Sequence, residues 1–174
     1  FATGAHVVHC PQSNMKLASG ACPVHKLLAA GVNVALGTDS AASNNDLNMF
    51  GEMQAAALLA KLHSGDATAL PAARALSLAT IGGARALGLE DRIGSLEAGK
   101  QADLIAVDLG QPETQPLYNP LSQLVYACNG SQVSHSWIAG EPVLAERRLT
   151  RLDLDALTVR VQHWQGKIAA TGAE

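Results

Sequence analysis

Val32-Asn33-Val34-Ala35-Leu36-Gly37-Thr38-Asp39-Ser40 reads as a short buried strand that runs out into small polar residues. Upstream, Gly31 stops a helix-like Val24 to Ala30 that comes after Pro23. Before it, a polar, glycine-containing loop, Pro11 to Ala21, succeeds a first strand-like run, Ala5-His6-Val7-Val8-His9. The order strand, loop, helix, strand predicts a parallel pair joined by a right-handed crossover, with the loops after both strands on one face. In α/β barrels and open doubly wound sheets, chemistry sits at those carboxyl ends. Downstream, Asp46 to about His63 has helical spacing in Leu47, Phe50, Met53 and Ala57, with Asn44, Asn45 or Asp46 available as its cap.

Two shorter helices, Pro71 to Thr80 and Gly82 to Leu87, precede Gly88, and the texture then changes. Ile93 to Lys100 is turn-rich, Ala102 to Val107 reads as a strand, and Ser134 to Ala139 with Pro142 to Ala145 forms a hairpin about Gly140-Glu141. We place a boundary near Gly88 to Ile93. The last segment carries Leu154, Leu157, Val161, Trp164 and Ile168 as one apolar stripe behind Asp153, the pattern of a capped helix packing on the body. A coiled coil would need more heptads than these.

The 174 residues are 48% hydrophobic and 16% charged, which is too apolar for a disordered chain. A complete (β/α)8 barrel, at roughly 250 residues, does not fit. With Lys+Arg at 12 against Asp+Glu at 15 and no basic run, nucleic acid is not expected as a partner. No apolar stretch reaches the ~18 residues of a membrane helix, and the start lacks the pattern of a secretory leader, so a cytoplasmic protein is expected. The three cysteines, Cys10, Cys22 and Cys128, form no C-x-x-C pair, so neither a disulfide framework nor a cysteine-built zinc site is indicated. The chain opens at Phe1 without a methionine and enters a strand almost at once, as if joined in the middle.

Asp39 is the strongest chemical candidate, because a strand-end carboxylate followed by small polar residues projects into a site; the same position can also cap a turn. His9 ends the other strand in the equivalent place. Carboxylate and imidazole converging there suit a divalent metal or an acid/base pair about a water, although a zinc site takes three protein ligands. Alternation puts His6 and Cys10 on faces other than that of His9, the first as a packed outer residue and the second as a small buried hydrophobe. His25, His63, His135 and His163 lack partners at ligand spacing and read as structural or surface residues. Phosphate-loop, nucleophile-elbow and cytidine-deaminase signatures are missing.

Three strings read together carry a resemblance: His9-Cys10-Pro11-Gln12-Ser13-Asn14-Met15-Lys16-Leu17, Gly37-Thr38-Asp39-Ser40-Ala41-Ala42-Ser43-Asn44-Asn45, and Gly94-Ser95-Leu96-Glu97-Ala98-Gly99-Lys100-Gln101-Ala102-Asp103-Leu104. They resemble the amidohydrolase superfamily, in the branch of 5-methylthioadenosine/S-adenosylhomocysteine deaminases, triazine chlorohydrolases and guanine and 8-oxoguanine deaminases. The second string is the most telling about substrate. The resemblance implies an α/β chain holding the C-terminal portion of a metal-dependent (β/α)8 (TIM) barrel plus part of a small β-sandwich. Residues 1–92 would supply the last two βα units, 93–149 part of the sandwich, and 150–174 a terminal helix. It implies that Asp39 is both metal ligand and catalytic proton carrier. It further implies that His9, Ser13, Asn14 and Ser40 shape the substrate pocket or support the metal.

The implied cofactor is one divalent metal, zinc with iron as the alternative. The implied reaction is attack of a metal-bound hydroxide on an adenosine-type purine ring with release of ammonia. Cys10 and Ser40 replace residues common in relatives, which bears on substrate preference. The family's histidine ligands and catalytic glutamate would lie upstream of Phe1, so this chain would be inactive alone, would need the N-terminal part of the same protein as its partner, and could assemble as a homo-oligomer. The competing functions are a triazine chlorohydrolase, a guanine or 8-oxoguanine deaminase, or a non-catalytic α/β binding module.

Overall fold

A computed structural model describes residues 3–172. Its first strand, β1 (Val7–His9), runs into helix α1 (Pro11–Lys16), where the sequence pattern predicts a loop. Proline explains the difference: its fixed φ and missing N–H suit the first helical turn, and Cys10 C=O accepts the Asn14 N–H at 3.0 Å to close that turn. Helix α2 (Val24–Ala29) comes next, and Gly31, at φ 76°, turns the chain into β2 (Val34–Leu36). β1 and β2 pair in parallel with Val7 opposite Val34 and His9 opposite Leu36, as the crossover argument predicts.

β2 is buried along its whole length. Val34 and Leu36 enter a core with Val24, Phe50, Met53, Ala56, Ala57, Ala60, Leu70, Ala75, Leu78 and Val125. Helix α3 (Met49–Ser64) supplies the largest share, and its alanines let it lie close on the strand pair. Its cap is Asn48, whose side chain accepts from the Phe50 N–H, rather than Asn44, Asn45 or Asp46. The loop spends those earlier residues on its own geometry: Leu47 sits at φ 49° and is exposed, so it leaves the apolar stripe that its spacing suggests. Gly65, at φ 69°, closes α3.

Helices α4 (Ala72–Ala79) and α5 (Ile81–Ala86) pack on β2. A four-stranded antiparallel sheet then forms in the order β3 (Leu104–Val107), β4 (Val133–Ile138), β5 (Glu141–Ala145), β6 (Arg148–Leu149). The β4–β5 hairpin turns on Ala139-Gly140, with φ 50° and 80°, one residue earlier than the sequence pattern places it. Between β3 and β4 lies an unforeseen helix, α6 (Pro120–Tyr126), capped by Asn119 and begun by proline. Its Val125 enters the core, and Gln54 Nε2 donates to Tyr126 C=O at 3.0 Å, which ties α6 to α3.

The terminal helix α7 (Leu154–Ala170) is capped by Asp153 as expected, through the N–H groups of Asp155 and Ala156. It does not pack on the body. Leu154, Leu157, Val161, Trp164 and Ile168 all remain exposed. The periodicity shows that this face is apolar; no surface among the described residues meets it. No helix among them is long and apolar enough to cross a membrane.

Two adjacent glycines in α5 should respond oppositely to alanine. A Cβ at Gly82 would stand 2.7 Å from Val34 C=O, and backbone must shift to admit it, whereas a Cβ at Gly83 meets nothing within 4 Å. Gly83→Ala should stabilise by about 0.5–1 kcal/mol through helix propensity, and Gly82→Ala should destabilise by about 1–3 kcal/mol through overpacking. Urea unfolding measures both; shifts of one sign would show that α5 is not held against β2 at this point.

Candidate active site

The carboxyl ends of β1 and β2 lie side by side, joined past their last residues by the Gly37 N–H donating to His9 C=O at 3.0 Å. From β2 the chain passes through Gly37 and Thr38 to Asp39, which adopts φ 62°, a left-handed conformation that aspartate tolerates better than most residues. Asp39 is exposed, and three donors hold its carboxylate. Ser13 Oγ, from α1, and Ser43 Oγ, from the loop after β2, each donate to Oδ2 at 2.8 Å, and the Ser40 N–H donates to Oδ1 at 2.8 Å. Donors from Ser43, then Ser13, then Ser40 hold the carboxyl below its ordinary range, while the little burial it has pulls weakly the other way. Such a group contributes stability that is complete above the unfolded carboxylate range and fades as pH falls through its lowered value.

Lys16 Nζ donates to Ala42 C=O at 3.0 Å and Asn45 Oδ1 at 2.6 Å, a second clamp between α1 and this loop. Ser13 is buried, Asn14 half-buried, and Ser40 exposed, with its Oγ 3.5 Å from Ser43 Oγ. Ser13 and Ser40 therefore touch Asp39 directly.

His9 is placed differently from the expected cleft position. It pairs with Leu36 and is 3% exposed, while Val8 is 57% exposed; alternation sets His9 with Val7, on the face that packs into the core. Burial lowers its pKa and so favours the neutral imidazole, and its Nδ1 has no hydrogen-bond partner among the described residues. Cys10 is the residue on the other face, half-buried, where a Cβ on Gly37 would meet its Sγ at 3.3 Å. Burial pushes its thiol up, the carboxylates of Asp39 and Glu52 add to this, and the Asp39 backbone amide offsets part of it. His6 is exposed, its Nδ1 2.9 Å from Asn33 Nδ2, and is not a packed outer residue. His25 and His63 do approach each other, with ring centroids 5.7 Å apart.

Sequence reasoning misses Glu52. It is 0% exposed on the first turn of α3, and burial raises its carboxyl pKa, with hydrogen bonds from the Gln12 N–H and the Asn44 side chain opposing that rise. A signal exists: Glu52, Ala56 and Ala60 recur every four residues on the buried stripe of the helix, and a carboxylate in phase with such a stripe needs a reason to be there.

Among the described residues no three His, Cys, Asp or Glu side chains gather to hold a metal. Of the expected site residues, Asp39 is anionic, accessible and fixed in direction, features that suit one of the three protein donors a catalytic zinc takes.

The chain belongs to the amidohydrolase family, whose pattern it matches over residues 2–143. Within that family it is 55% identical over 168 residues to the 5-methylthioadenosine/S-adenosylhomocysteine deaminase of Teredinibacter turnerae, covering 97% of this chain and 38% of that protein. A zinc-bound adenosine deaminase from Xanthomonas campestris superposes with a TM-score of 0.93 at 57% identity, over 95% of this chain and 38% of the other. A zinc-complexed atrazine chlorohydrolase from Arthrobacter aurescens gives 0.86 at 26% identity, over 93% and 36%. The chain thus spans less than two-fifths of the length of these relatives.

Replacing either serine should release Asp39 from one donor. Ser13→Ala and Ser43→Ala should each raise the Asp39 carboxyl pKa toward the ordinary range, and the double substitution should raise it further, as read by carbon-13 titration of the side-chain carboxyl without metal. An unchanged titration would mean that the two hydroxyls do not hold the carboxylate.

Proposed function

We propose that this chain is the C-terminal part of a zinc-dependent hydrolytic deaminase acting on 5-methylthioadenosine, S-adenosylhomocysteine or a related adenosine-type nucleoside. The observation that carries this reading is Asp39: an accessible, anionic carboxylate aimed by Ser13, Ser40 and Ser43 at the carboxyl ends of a parallel strand pair. The identities of 55–57% to deaminases, against 26–28% to a chlorohydrolase and a guanine deaminase, favour the nucleoside substrate over those alternatives. Residues 1–92 are read as the last two βα units of the barrel, 93–149 as part of the small sandwich, and 150–174 as the terminal helix. The remaining ligands would come from the part of the relatives' length that this chain does not span.

When bound, a divalent zinc ion would acidify water and polarise the reacting centre. Asp39 would hold that ion and serve as the proton carrier. Its Oδ2 is occupied by two hydroxyls, whereas Oδ1 carries only the Ser40 amide and is the freer oxygen. As water adds to the ring carbon bearing the amino group, Oδ1 takes the water proton and then delivers it to the departing nitrogen. Water is consumed, ammonia leaves, and the carboxylate is regenerated. In this reading Asn14 and Ser40 would border the substrate, Ser13 would fix Asp39 from behind through its hydrogen bond to Oδ2, and His9 would support the wall of the site from its buried position.

In the full-length protein, Asp39→Asn should cut kcat for ammonia release from methylthioadenosine by at least ~100-fold, the span of a lost acid–base group, and should reduce bound zinc. Parallel assays with S-adenosylhomocysteine, guanine and atrazine rank the substrates. Turnover of none of the four by the unmodified protein, or full activity in Asp39→Asn, would overturn the proposal.

A further inference from the structure

Glu52 is a carboxylate without exposure and, among the described residues, without a cation paired to it. The ion pairs found among the described residues are Lys100–Glu97 and Arg151–Glu141, both elsewhere. Burying such a group is costly unless its oxygens are satisfied, and an apolar residue in the same volume would pack the stripe of α3 at less cost. Each oxygen of Glu52 has one donor: Oε2 receives the Gln12 N–H at 3.3 Å, and Oε1 receives Asn44 Nδ2. Asn44 is itself directed, because its Oδ1 accepts the Leu47 N–H at 3.2 Å and leaves only its NH2 to face Glu52.

The partners of Glu52 are the sequence neighbours of the partners of Asp39. Gln12 precedes Ser13, and Asn44 comes after Ser43; the two serine hydroxyls converge on one oxygen of Asp39, at 2.8 Å each. One buried side chain on α3 therefore pins both segments that aim Asp39, one from β1 and one from β2. We propose that Glu52 is a positioning residue that fixes Asp39 in its metal-holding direction by clamping Gln12 and Asn44, an inference that rests on the proposed role of Asp39 as metal ligand.

The arrangement allows a test by exchange. Glu52→Gln keeps one acceptor, which can serve Gln12 or Asn44 but not both. Adding Asn44→Asp restores the missing acceptor with the bond reversed: the new amide donates to the new carboxylate, which still accepts from Leu47, and the net charge is unchanged. In the full-length protein, zinc affinity by chelator competition, kcat and KM for methylthioadenosine, and the Tm of the metal-free protein are measured for Glu52→Gln, for the Asn44→Asp/Glu52→Gln pair and for Asp39→Asn.

Glu52→Gln should weaken zinc binding on the order of 10- to 100-fold and lower kcat more than it changes KM, with the pair returning zinc affinity to within about threefold of wild type. Wild-type zinc affinity in Glu52→Gln, or a pair that recovers the metal-free Tm without recovering zinc, would overturn the positioning role and leave a structural one. Should Glu52→Gln fail to fold, Asn44→Ser breaks the same link from the loop side and should loosen zinc likewise; unchanged affinity there also overturns it. If Asp39→Asn itself retains tightly bound zinc, the reading of Asp39 has failed, which is a different result from Asp39→Asn losing zinc while the Glu52 variants keep it.

Discussion

The parallel pairing of β1 with β2 is the constraint on which the rest of the molecule depends. It sets His9 opposite Leu36, so the chain leaves both strands at the same level and in the same direction. The segments beyond the two strands, α1 after β1 and the Gly37 to Asn48 loop after β2, are then forced to share one small region. Neither segment alone supplies the contacts to Asp39, since Ser13 arrives from the first and Ser40 and Ser43 from the second. A slip of one residue in this pairing would carry Leu36 out of the core and Gly37 into it, so the burial of β2 fixes the register that assembles the site.

Two carboxylates lie within this region in opposite environments. Asp39 is exposed and stands on donors that favour its charge; Glu52 is fully buried and its carboxyl is pushed up by desolvation. The same chemical group is thus held accessible in one place and enclosed in the other, and location decides which can meet a ligand and which can only hold protein. Burial raises the Cys10 thiol, and the two nearby carboxylates add to the rise and favour the neutral form, so the half-buried sulfur adds little to the charge of the site.

Much of this is legible in the sequence. The buried run of Val34 to Leu36, the stop at Gly31, the helical spacing of Phe50, Met53 and Ala57, and the cap at Asp153 all come from local rules that tertiary contacts do not override. The differences have local causes as well. Pro11 suits a loop as well as the helix it opens, and three residues before Asn48 could cap α3 equally well; both are boundary choices that propensity leaves open. Alternation separates His9 from Cys10 without saying which faces the core, and Leu36, opposite His9, settles which side that residue joins. Glu52 is easily overlooked because a charged residue in a helix is ordinarily solvated, when its phase with Ala56 and Ala60 says otherwise.

The apolar faces that stay exposed come from the same physics. Val8 on β1, Leu58 and Leu62 on α3, and the stripe of α7 are all more than half exposed or near it, although their spacing is that of buried residues. A pattern of this kind states that a face is built for contact, and it carries no address. For β2 the contact partners lie within the described residues, and the strand is buried; for α7 they do not, and a helix with the same quality of pattern stands in solvent. Periodicity therefore fixes the face of an element before it fixes the element's neighbour, and only pairing geometry, as in β1 and β2, supplies the second.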